Sequence, residues 1–198
     1  MIPTLEEIIA KMEKELGLSP GFLFQLKNED DWSFIIKCHA FIEAIFSHYI
    51  VQAVGFDSLK EIFQNLEMSN FKTGKVAFAE ALHIVDSQGK TFIRKLSELR
   101  NDVVHNVSQT NCNLIENIKG MDNNQFKSFF TAFSYFASED DLKFHLHSVE
   151  SIVKNDPKLA IWLSMVHMTG ISYWKTEHAK LNKLNIALHD QVKDYKSI

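Results

Sequence analysis

Arg100, Asn101 and His105 are the residues whose types and spacing come closest to a reaction. Arginine offers phosphate oxygens a planar, permanently charged fork, and histidine titrates near neutrality and passes protons. RNA carries its own nucleophile in the 2′-hydroxyl, so its cleavage needs only charge stabilisation and proton transfer. Of 21 basic residues, Arg94 and Arg100 are the only arginines; the spacing to His105 is weak alone and gains from its place at the end of a strongly periodic helix, directly before a polar stretch. Five residues turn a helix by about 140°, so Arg100 and His105 do not share a stripe. Arg100 must reach, or a second subunit must help. Arg100 lies beside Ile93 and Val104, while Asn101 and His105, four apart, share the opposite face. Ile93 and Val104 then predict a second apolar patch. That patch predicts a homodimer in which two Arg100 and two His105 surround one cleft. The structural alternative is that Arg100 pairs with Glu98 or Asp102 while His105 caps its helix, where a cation is favoured.

Other clusters carry less. Nine histidines raise the question of metal, but His145 and His147 sit two apart on a predicted helix and face opposite sides, so no metal site is expected. Glu139, Asp140 and Asp141 read as a solvated helix start, where negative charge is stabilised without catalytic purpose. Cys38 and Cys112 lack zinc spacing and are too few for a disulfide framework, which predicts reduced thiols used as core filler. There is no Gly-rich phosphate loop, dinucleotide fingerprint, serine elbow or His-Glu-x-x-His helix. No cofactor is expected.

The elements that must position these residues read as helices. Thr4 and Glu7 have capping-box spacing before Leu5, Ile8, Ile9, Met12 and Leu16, and Gly17 ends the run. Asp30 or Asp31 caps a long apolar stretch, Trp32 to Val54, which ends at Gly55 and belongs at the centre of a bundle. Short helices are predicted over Asp57 to Leu66 and Phe71 to Val85. A helix from Asp86 or Ser87 to Val107 carries Phe92, Leu96, Leu99 and Val103 on one stripe and holds the Arg100 motif near its end, before a polar loop from Asn106 to Asn113. Leu114, Ile115 and Ile118 form a short piece ending at Gly120. Phe126, Phe129, Phe130, Phe133 and Phe136 make an aromatic stripe read as core. Ser138 and Asp141 start a helix with Leu142, Leu146, Val149 and Ile152 on one face. Asp156-Pro157 opens a last helix reaching Val192, with a break expected near Gly170.

The chain of 198 residues, with 45% hydrophobic and 23% charged residues, can bury a core, and disorder, collagen and low-complexity classes are excluded. Seven Gly and three Pro supply too little turn chemistry for a sandwich, barrel or propeller. The expectation is one all-α domain over residues 1–198, a bundle of seven to nine helices. A net charge of −4 gives no general attraction to nucleic acid, so RNA would need a local site. The N-terminus lacks a basic region followed by an apolar run, and no uncharged run spans a bilayer, which predicts a cytoplasmic protein with no membrane partner.

The stretch Arg100-Asn101-x-x-x-His105, with the apolar helix carrying Phe41-Ile42-Glu43-Ala44-Ile45 and the segment Phe71 to Val85, resembles the HEPN superfamily of α-helical domains. The resemblance covers a core of about residues 30–107 and leaves 108–198 as a helical extension packed on it. It implies a dimeric, metal-independent endoribonuclease in which His105 handles protons and Arg100 holds the scissile phosphate, with Asn101 and Glu43 arranging the site. It also implies a prokaryotic role in defence or stress, with RNA as substrate and an antitoxin as partner. Members of the toxin branch commonly carry a tyrosine two residues after the histidine, and here that position is Val107. The same layout is similar to the mannitol-operon-repressor family, which implies the other expectation: a non-catalytic module that binds a protein partner such as a transcription regulator.

Overall fold

The computed structural model describes residues 4–68, 70–105 and 112–196, with side chains through residue 185. Among the described residues there are 11 α-helices and no strand, so the protein is all-α, as its 3.6-residue periodicity predicts. Val107 and most of the predicted loop from Asn106 lie outside the described residues.

Helix α1 (Leu5–Glu15) starts at the expected capping box, in which the Thr4 hydroxyl accepts from the Glu7 amide and Glu7 returns the bond to Thr4. A short α2 (Phe22–Gln25) and a 3-10 turn, Leu26–Asn28, lead to α3 (Asp31–Val54). Asp30 caps the start of α3 and left-handed Gly55 closes it. This helix is apolar on most of its circumference and is the one described helix long and apolar enough to cross a membrane. Most of it is covered by the rest of the chain.

A 3-10 turn, Asp57–Leu59, and α4 (Lys60–Asn65) precede α5 (Lys75–Ala81). The predicted helix from Phe71 to Val85 is therefore cut at both ends. On the N-terminal side the chain turns back so that the Gly74 and Lys75 amides bond the carbonyls of Asn70 and Glu67 at 2.8 and 2.9 Å. On the C-terminal side His83 takes a positive φ of 57°, which no continuing helix allows. A Cβ added at Gly74 would lie 2.3 Å from the Glu67 carbonyl oxygen and 2.7 Å from that of Asn70. Gly74→Ala is therefore expected to cost about 1–3 kcal/mol, the usual range for overpacking. A urea midpoint equal to that of the wild type would show that the turn yields freely.

Helix α6 (Ser87–His105) buries Phe92, Ile93, Leu96 and Val103. It is followed by α7 (Leu114–Lys119), α8 (Asn123–Phe133), α9 (Glu139–Phe144), α10 (Leu146–Asn155) and α11 (Pro157–Lys196). Ser138 forms its capping box with Asp141, but the helix it opens ends at once. His145 separates α9 from α10, so Leu142 does not share a stripe with Val149 and Ile152. This break, together with α2, accounts for a helix count above the seven to nine expected. Conversely, α11 runs through Gly170 without interruption. The roughly 1 kcal/mol a helical glycine costs is outweighed by burial on both sides of it, from Met165 to Thr176.

One continuous buried cluster draws on α1, α3, α6, α8 and α11, so the segment beyond residue 107 shares its core with the segment before it. Phe129 and Phe133 are fully buried in it, with Phe133 against Phe92 at 5.5 Å between ring centroids. Phe126, Phe130 and Phe136 pack at its margin. The aromatic stripe is core. Long-range bonds tie α11 to the N-terminal half: the Trp162 indole donates to the Leu23 carbonyl at 2.6 Å, and the Tyr49 hydroxyl to that of Thr169 at 3.3 Å.

Candidate functional site

The motif helix is fixed at both ends. At its start the Asp86 carboxylate accepts from the Gly89 amide at 2.8 Å and from the Tyr135 hydroxyl at 3.0 Å. Burial would raise that carboxyl, but these bonds and the nearby Lys175 ammonium outweigh it and hold Asp86 below the usual carboxylate range. Near its end, Trp32 of α3 donates its indole N–H to the Val103 carbonyl at 3.1 Å, satisfying one of the last carbonyls of α6, which have no partner within the helix. Further back, His39 Nε2 lies 3.1 Å from Ser97 Oγ. Moving from Trp32 to His39 along α3 moves from Val103 to Ser97 along α6, so the two helices run antiparallel. Arg100 sits between the two cross-links.

Arg100 donates to the Asn101 side-chain oxygen at 3.0 Å. Of the two structural alternatives, Glu98 is taken by Lys95 at 3.1 Å and Arg94 at 3.9 Å, and Asp102 is not without a partner. His105, in the last turn of α6, is exposed and shares no hydrogen bond with Arg100 among the described residues. The Glu43 carboxylate takes the Lys75 ammonium at 2.8 Å. Lys75 is 1% exposed and also donates to the Gln64 carbonyl at 3.1 Å. Glu43 still belongs to the neighbourhood, because its charge, with those of Arg100 and Lys75, acts on His39.

The second apolar patch is not formed. Ile93 is 1% exposed, buried because α3 and α8 both pack on α6 and widen its covered face beyond one stripe. Val104 alone is open, at 38%. The homodimer thus loses the patch on which the sequence reading placed it.

The structure brings together Arg100, Asn101, Ser97 and His39, with Glu43 and Lys75 behind them. His39, Ser97 and Lys75 carried no motif signal, and between His39 and Arg100 the chain runs through the rest of α3, all of α4 and α5 and most of α6. One hint was legible: His39 and Glu43 are four apart and form a polar pair on a helix that is otherwise largely apolar.

Burial depresses the pKa of His39, and Arg100 and Lys75 reinforce this against Glu43. Burial likewise lowers His48, against the pull of Glu15 at 3.2 Å, and His167, against Asp86. For all three the folded state binds fewer protons than the unfolded state, so their contribution to stability is intact above the ordinary histidine value of about 6.5 and is lost as pH falls through it. The melting temperature is expected to drop between about pH 7 and pH 5, with a shallower drop in His39→Gln. A flat profile over that window would contradict the burial of these imidazoles.

A cleft of about 710 Å³ opens on another face of α3, lined by Phe22, Ala44, His48, Val51, Lys60 and Glu15 among others. It contains neither Arg100 nor His105. Both cysteines are free, and burial raises the thiol pKa of each, most strongly at Cys38. Among the described residues no group of three or more His, Cys, Asp or Glu could hold a metal ion. Compared with known proteins, the sequence matches no family model, no curated protein and no solved structure.

Proposed function

We propose that the end of α6 is the phosphate-binding site of a metal-independent endoribonuclease. The observation that carries this reading is Arg100 itself: a guanidinium steadied by Asn101 and set between two α3–α6 cross-links. An arginine so held is available to a phosphodiester, whose oxygens match its fork. In the reaction the RNA 2′-oxygen bonds to phosphorus and its proton passes to a histidine. The bond from phosphorus to the 5′-oxygen breaks and that oxygen gains a proton, leaving a 2′,3′-cyclic phosphate and a 5′-hydroxyl. His105 is the motif's candidate for this proton handling. A role in defence or stress, a cytoplasmic location, assembly into a homodimer and control by an antitoxin belong to the same proposal and rest on the resemblance.

A second reading, a non-catalytic module engaging a protein partner such as a transcription regulator, is favoured by one observation: among the described residues Arg100 bonds Asn101 and shares no hydrogen bond with His105. Purified protein incubated with single-stranded RNA in EDTA separates the two. Cleavage of RNA but not DNA, unaffected by EDTA and weakened in Arg100→Ala, supports the ribonuclease. Intact RNA across varied sequences supports the binding module.

A further inference from the structure

We propose that Arg100 and His39 together form a phosphodiester-binding site at the α3–α6 seam, with His39 placed to take the proton of the attacking hydroxyl. The inference rests on the ribonuclease reading for its chemistry but not for its geometry. Ser97 and Arg100 are three apart and so neighbours on the surface of α6, and His39 is bonded to Ser97. His39 therefore stands beside Arg100, close enough for the guanidinium charge to act on the imidazole. His105, by contrast, is displaced from Arg100 by about 7.5 Å along the helix axis and about 140° around it. Within one chain, His39 is the imidazole that the fold delivers to the arginine.

Hydrogen bonding fixes which nitrogen of His39 is available. The Ser97 hydroxyl has one proton, and it goes to the Ile93 carbonyl at 2.9 Å, an atom that can only accept. Ser97 Oγ must then accept from His39, so Nε2 carries the hydrogen and Nδ1 of the neutral ring keeps its lone pair. This arrangement also argues against a serine nucleophile, because Ser97 does not offer its proton to the imidazole. The groups facing His39 are Glu43 on its own helix, Lys75 from α5 and Arg100 from α6. Burial, reinforced by the charges of Arg100 and Lys75, outweighs the opposing pull of Glu43 and keeps the ring neutral near pH 7, the state that accepts a proton. In the step itself, Nδ1 takes the 2′-hydroxyl proton as the oxygen bonds to phosphorus. The leaving 5′-oxygen takes a proton from water, and the imidazolium later returns its own proton to the hydroxide so formed.

The test uses the wild type and His39→Gln, whose amide can still donate to Ser97 but cannot take up a proton. A 2′-O-methyl RNA tetranucleotide, which lacks the nucleophile, is titrated into the wild type while histidine ring signals are followed by NMR. The expected result is that the His39 signals move and their titration midpoint rises as an anion settles beside the ring. With unmodified RNA, His39→Gln should cleave roughly 10² to 10⁴ times more slowly, with an unchanged melting temperature at pH 7.5 and loss of the acidic limb of the rate profile. His39 signals that ignore the oligonucleotide, or His39→Gln cleaving at the wild-type rate, would overturn the proposal. A wild type that moves His39 on binding yet leaves RNA whole supports the site and removes the ribonuclease reading instead.

Discussion

Glu43→Ala is expected to destabilise the protein by about 3 kcal/mol, the lower end of the range for removing one partner of a buried ion pair. Lys75 is almost completely enclosed, at 1% exposure, while the Glu43 side chain is 38% exposed and meets it at 2.8 Å. Without the carboxylate, the ammonium keeps only the Gln64 carbonyl at 3.1 Å. A cation in an apolar setting must then be hydrated, neutralised or expelled, and each course disturbs the α3–α5 contact. The lower end of the range applies because Glu43 already touches water and water can follow it in. Lys75→Met should cost far less, since it removes the buried charge and leaves a carboxylate that solvent can reach. The double variant should recover most of the loss seen in Glu43→Ala. Urea denaturation of the three proteins decides the matter. A Glu43→Ala loss below about 1 kcal/mol would mean that Lys75 leaves its buried position without penalty.

How much of this was legible in the sequence depends on the range of the interaction. The boundaries of α1 and α3 follow from Thr4, Glu7, Asp30 and Gly55, which act on backbone groups within four residues of themselves. Such local signals survive whatever the rest of the chain does. The limits of α5 were not legible, because the turn at Gly74 is set by carbonyls of Asn70 and Glu67 folding back upon it and its end by a left-handed His83. Gly170 misled for the opposite reason: a local helix weakness is overridden where α11 is buried on both sides. The break at His145 has no cause visible in the surrounding contacts.

The site divides along the same line. Arg100 and Asn101 stood out because their spacing to His105 is local and arginine is scarce in this chain. The patch of Ile93 and Val104 failed because a helical wheel counts faces without knowing which neighbours the helix has, and α3 and α8 both pack on α6. His39 went unnoticed because its place beside Arg100 is created by antiparallel packing of α3 on α6, through Trp32 to Val103 and His39 to Ser97. Periodicity along one helix cannot show that.

Arg100→Ala is expected to lower RNA cleavage by about 10² to 10³, the usual cost of withdrawing one preorganised donor from developing charge at a reacting centre. The fold should be nearly indifferent to it, because the guanidinium's one hydrogen bond to another side chain among the described residues is to the adjacent Asn101, at 3.0 Å. An exposed contact of that kind is worth about 1 kcal/mol or less. This separation of activity from stability distinguishes a phosphate ligand from a structural arginine, whose loss would lower both. Arg100→Lys refines the test: lysine keeps the positive charge but loses the fork that spans two phosphate oxygens, so it should restore part of the rate and not all of it. Removing the charge should also make the rate less sensitive to salt, since one fewer phosphate contact is screened. Initial rates on single-stranded RNA in EDTA, with melting temperatures for each variant, give both quantities. If Arg100→Ala cuts as fast as the wild type, phosphate binding at α6 is wrong, and if it fails to fold, Arg100→Lys and Asn101→Ala carry the comparison.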